Sequence, residues 1–146
     1  SNQLTIIYEN TFRGLNSLIY ISLASNKIQY MEFNSFKILL KLKYLVLENN
    51  KIKDLNIAYP STLFYIILSY NKLSYVRIGE NLKFVSLNNN KFLNNIDFSS
   101  YNNLEMLQLD ETSSKLINAI RFDIFPNLSY LGLNFVSISY EKLREI

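Results

Sequence analysis

Apolar residues return along the chain in one fixed arrangement. In Leu82 to Phe92, LKFVSLNNNKF, it reads L-x-x-V-x-L-x-x-N-x-F, and it recurs in Leu18–Ile28, Leu42–Ile52, Leu63–Leu73, Leu104–Lys115 and Leu128–Ile138. Within each copy the apolar positions alternate: Ile21-Ser22-Leu23, Leu45-Val46-Leu47, Ile66-Ile67-Leu68, Val85-Ser86-Leu87, Leu107-Gln108-Leu109 and Leu131-Gly132-Leu133. A period of two predicts a short strand whose outer pair faces a core while the residue between faces away. The positions that close each copy, Asn2, Asn26, Asn50, Asn71, Asn90, Thr112 and Val136, lie 24, 24, 21, 19, 22 and 24 residues apart. One such unit cannot bury its apolar face alone, so the spacing predicts stacked coils, about six and a partial first one, sharing a continuous core.

The asparagines fall where the chain leaves the strand, and a side-chain amide there carries two donors and an acceptor for main-chain groups of its own turn and the next one. The expected result is a ladder of amides along the stack that lapses at Thr112 and Val136, where either the turn changes conformation or the array nears its end. On the outer side Phe12, Phe36, Phe98 and Phe122 each stand fourteen residues before the closing position, with Ile57 and Val76 there in the middle units. They are expected to stack as a buried column. Pro60 and Gly79 replace Leu15 and Leu39 in the two short units, whose outer segments are expected to be extended.

Asn2-Gln3-Leu4, Ile7, Phe12, Leu15, Leu18, Ile21, Leu23 and Asn26, with their counterparts up to Phe36 and Leu39, resemble the "typical" 24-residue class of leucine-rich repeat. The resemblance covers essentially the whole chain. It implies an α/β-class solenoid, a horseshoe with a parallel strand per repeat on the concave face and irregular or short helical segments outside. It also implies an extracellular or cell-surface setting, since the class is found mainly in extracellular proteins and receptor ectodomains. Full units mixed with short ones lacking the phenylalanine are similar to insect immune leucine-rich-repeat proteins such as the mosquito complement-like factors. Family arrays usually end in cysteine-bonded caps, and this sequence has no cysteine. The expectation is a single domain over residues 1–146, a fragment of a longer chain or one capped another way.

Alternation names the concave surface directly. Its first column is Tyr20, Tyr44, Tyr65, Phe84, Met106 and Tyr130; the second is Ser22, Val46, Ile67, Ser86, Gln108 and Gly132. The third is Ala24, Glu48, Ser69, Asn88, Asp110 and Asn134, bordered by Ser25, Asn49, Tyr70, Asn89, Glu111 and Phe135. Adjacent strands lie about 4.8 Å apart, which makes the first column an aromatic stripe. Large rings on a rigid backbone suit a protein interface. Tyr20, Tyr44, Val46, Tyr65, Ile67, Tyr70, Phe84 and Tyr130 are therefore the candidate protein-binding residues. The same rings can instead serve the sheet as cross-strand packing, and both readings stand at this point.

Composition narrows the chemistry. Absence of both His and Cys removes the side chains most used for acid–base catalysis, thiol chemistry and transition-metal binding, so neither an enzyme nor a cofactor is expected. A net charge of +3 from 15 basic and 12 acidic residues is too slight for a dedicated nucleic-acid binder. Lys27, Lys51, Lys72 and Lys91 form a column beside the asparagines that reads as a solvated edge. Glu105, Asp110 and Glu111 form an acidic group lacking the oxygen-rich loop that calcium requires, and it reads as solvated charge or a partner-contacting end. Gly14, Gly79 and Gly132 stand apart, giving no phosphate loop. Asn127-Leu128-Ser129 fits a glycosylation sequon and equally an ordinary strand entry. No apolar run approaches the ~18 residues that span a bilayer. Recognition of a protein on the concave face is the leading reading, with a structural spacer or self-associating scaffold segment as the alternative.

Overall fold

The computed structural model describes residues 3–98 and 103–144, so Asn2 lies outside the described residues. Six three-residue strands, Tyr20–Ser22, Tyr44–Val46, Tyr65–Ile67, Phe84–Ser86, Met106–Gln108 and Tyr130–Gly132, lie side by side in chain order as one parallel sheet. Equivalent positions stay level across it: Tyr20 faces Tyr44, Tyr44 faces Tyr65, Tyr65 faces Phe84, and Met106 lies between Phe84 and Tyr130. Behind the sheet, Leu45, Ile66, Val85 and Leu107 are fully buried together with Leu47, Leu68, Leu87 and Leu109. The architecture is the stack of coils that the spacing predicts and the leucine-rich repeat solenoid that the resemblance implies. Helix is confined, among the described residues, to Ser114–Ala119, Tyr140–Leu143 and the 3-10 turn Phe122–Ile124.

Each strand ends in the same turn. The residue before the closing position is left-handed in every copy, with φ of 55° at Ser25, 54° at Asn49, 56° at Tyr70, 60° at Asn89, 52° at Glu111 and 57° at Phe135. The asparagine that follows ties two coils together. Asn71 donates to the carbonyls of Leu68 at 3.0 Å and Leu47 at 2.9 Å, and accepts from the Ile52 amide at 3.1 Å. Asn50 and Asn90 repeat the pattern on Leu47, Leu23 and Ile28, and on Leu87, Leu68 and Leu73. The coil served besides its own is thus the preceding one, not the next. The turn does not change where the amides lapse: Glu111 and Phe135 stay left-handed, and Thr112 bonds the Leu109 carbonyl at 2.6 Å.

The outer flank departs from the expectation of irregular or short helical segments. A second row of short parallel strands runs there, Ile6–Ile7 with Tyr30–Met31, and Asp54–Leu55 with Tyr75–Arg77 and Asn95–Asp97. Each turns one apolar side chain into the core: Ile7, Met31, Leu55, Val76 and Ile96. Val76 therefore shares a level with Leu55 and Ile96, not with the phenylalanines. Counting back from the asparagine misplaces it because the 19-residue unit shortens the outer segment. The phenylalanine column is likewise divided. Phe12 stacks on Phe36 at 5.3 Å, while at the other end Phe125 contacts Phe98 at 4.9 Å and Phe122 at 6.5 Å. Gly79 is required by close approach: a Cβ there would sit 2.7 Å from the ring of Tyr59.

One repeat position also moves. Leu93 is fully buried where Phe92 was expected, and Phe92 is 69% exposed. The strand pairing of Tyr75 with Asn95 shows a one-residue insertion after Asn90, which carries Phe92 outward. Near the C-terminal end Lys142 is buried over the Phe122 ring and donates to the Ile120 carbonyl. No helix among the described residues is long and apolar enough to cross a membrane.

Candidate functional site: the concave face

The aromatic stripe exists as a run of touching rings. Centroids are 6.3 Å apart for Tyr20 and Tyr44, 5.6 Å for Tyr44 and Tyr65, and 4.2 Å for Tyr65 and Phe84, the last pair stacked with planes 11° from parallel. Phe64 adds an edge-on contact to Tyr44 at 5.0 Å. Parallel in-register strands place like residues level, and pairs of this kind contribute roughly 0.5–1.5 kcal/mol beyond their burial. Burial raises the Tyr65 pKa above the ordinary tyrosine value, with Tyr20 adding to the effect, so its hydroxyl remains a neutral donor near neutral pH. Tyr130 lies beyond Met106, two strands from Phe84, and is outside the continuous run.

Strict alternation overstates the open surface in the next columns. Val46 is only 9% exposed, and Ser69 and Ser86 are buried, their hydroxyls paired at 2.7 Å. Val46 is level with Ser22 on one side and Ile67 on the other, and is covered between its neighbours. It offers a partner little area. Ile67, by contrast, contributes to the floor of an open cleft of about 480 Å³ that also meets Tyr65, Phe84 and Tyr70. Of the eight predicted residues, the cleft thus gathers four.

The cleft has polar walls on the other side. Asn88 accepts the Asp110 amide at 2.9 Å, and Asp110 accepts the Asn134 amide at 2.6 Å, a relay into the following coil where the asparagine ladder has lapsed. A Cβ on Gly132 would stand 3.2 Å from the Asp110 carboxylate, so glycine leaves room for it. Glu48 and Glu111 complete the acidic lining. Glu105 does not join them, because it pairs with Lys83 at 2.7 Å.

Phe135 was not among the predicted site residues. It lines the cleft, holds φ of 57° and is 90% exposed. Tyr70 shares that conformation at 54% exposure. Left-handed backbone favours Gly and Asn, and a bulky residue there is strained. The signal was in the sequence: large aromatics stood at a turn position that Asn occupies in two other units. Elsewhere, Lys51, Lys72 and Lys91 are exposed along the edge, and Asn127 of the sequon is exposed with the Ser129 hydroxyl bonded to the Glu105 carbonyl.

This stack of strand, left-handed turn and buried asparagine has the architecture of a leucine-rich repeat solenoid. A family model described as leucine rich repeat matches residues 1–52. Among solved structures, the leucine-rich repeat domain of APL1B is similar with a TM-score of 0.73 at 20% identity, over 94% of this chain and 42% of that one. The TLR13–ssRNA13 complex is similar with a TM-score of 0.51 at 18% identity, over 97% of this chain and 28% of TLR13. The chain therefore spans less than half the length of either. No curated protein matches by sequence.

Proposed function

We propose that the chain is a protein-recognition module that binds its partner in the concave cleft, outside the cell or at its surface, in immunity, signalling or adhesion. The carrying observation is the placement of Tyr70 and Phe135, two exposed aromatics held in strained backbone at the rim of the cleft. Strain at an exposed side chain that supports no core points to selection for contact. Tyr65 and Phe84 supply a rigid apolar wall, and aromatic anchors of this kind dominate interface energies. The fold likeness to the APL1B domain and to TLR13 supports the setting.

A random peptide library displayed on phage, selected on the protein, tests the reading. Selected peptides should bind the Tyr70→Ala/Phe135→Ala double variant at least about tenfold more weakly, with Tm nearly unchanged. Peptides that bind this variant and a Tyr44→Ala/Tyr65→Ala variant as well as the parent would sink it. A second reading, self-association or abutment on adjoining coils, draws on the apolar edge of the first coil, where Leu4, Leu15 and Ile19 are exposed. Concentration-dependent association blocked by polar residues at those positions would select it.

A further inference from the structure

We infer that the cleft receives a protein segment carrying lysine or arginine, whose cationic groups meet Glu48, Asp110 and Glu111 while its apolar parts lie on Tyr70 and Phe135. The inference rests on the concave-face reading and adds the chemistry of the occupant. Its basis is charge complementarity. The whole chain carries +3, yet among the described residues the charged groups lining the cleft are all carboxylates, with no lysine or arginine. Ion pairs at Arg77–Asp97, Lys83–Glu105 and Arg121–Asp123 use up other acids, and none of these six residues lines the cleft. Glu48 and Glu111 differ from them: neither side chain has a hydrogen bond or ion pair among the described residues, although both are half-buried in the cleft wall.

Glu48 and Glu111, with no partner of their own on the wall of the cleft, are free to meet a cation brought by a ligand. Tyr70 and Phe135 present exposed rings on which an ammonium or guanidinium group also rests favourably. The same lining repels phosphate, so single-stranded RNA of the kind held by TLR13 is disfavoured here.

Fluorescence anisotropy on the full chain tests this with three labelled probes: a decapeptide alternating Leu and Lys, one alternating Leu and Glu, and a ten-nucleotide single-stranded RNA. The Leu-Lys peptide should bind tightest and weaken with salt, and it should bind Glu48→Gln/Glu111→Gln about tenfold more weakly while Lys72→Ser/Lys91→Ser binds it as the parent does. Glutamine keeps size and polarity, and equal melting of the variants confirms that only charge has changed. Equal binding of the Leu-Glu peptide or the RNA, or an affinity indifferent to neutralisation, would overturn the inference. If library-selected peptides need Tyr70 and Phe135 but ignore Glu48→Gln/Glu111→Gln, the cationic occupant is wrong and the concave site stands. If they ignore both pairs, the site itself is wrong.

Discussion

A single buried amide holds each joint closed by Asn26, Asn50, Asn71 or Asn90. Asn71 is 7% exposed and bonds four main-chain groups, two of them on the coil before its own. Those groups face a core of leucines and cannot turn to water, so removing the side chain leaves them unpaired at once. Asn71→Ala is expected to cost about 2–4 kcal/mol, read from denaturant unfolding. Thr112 makes one bond, to its own coil. Thr112→Ala should cost only about 1 kcal/mol by the same measurement. Equal losses would mean that the contact with the preceding coil adds nothing and that the amide serves its own turn alone.

Among the elements, the left-handed turn carries the conflict between stability and recognition. Asn49 and Asn89 suit it, whereas Tyr70 and Phe135 do not. Tyr70→Asn should therefore raise stability by about 0.5–1 kcal/mol in thermal or chemical unfolding while weakening the selected peptides; a loss of stability would show that the ring is packed and not displayed. The inner strands and the asparagine ladder were legible because each depends on a local pattern: two inward residues a step apart, then an amide. The flank strands were not, since each buries a single side chain such as Met31 or Leu55, too little to establish a period. Phe92 and Leu93 are adjacent and both apolar, so only the strand pairing reveals which one fills the core. Of the site, the stripe Tyr20–Tyr44–Tyr65–Phe84 followed from register alone. The burial of Val46 and the reach of Phe135 depend on cover from neighbours and on turn geometry, which no spacing encodes.

At the scale of the whole molecule, every strand pairs only with its neighbours in the stack, so stability is expected to be nearly a sum over coils and their joints. Coils with a joint on both sides should open least. The Ile52 and Leu73 amides, bound by Asn71 and Asn90 in the middle of the array, should exchange with deuterium most slowly. The Asn134 amide, held by an exposed bond to Asp110 in the last strand-bearing coil, should exchange earliest of the three. The cleft reaches from Glu48 to Phe135 and so crosses most of these joints. A ligand seated along it binds the closed array better than one with its last coil open, and must slow exchange at Asn134 by the ratio of those affinities. With the Leu-Lys peptide at saturation, protection should rise at Asn134, and at Ile52 too, since an opening large enough to expose that amide also destroys the cleft. Added protection confined to the flank strand Tyr75–Arg77 would place the ligand on the other side of the solenoid.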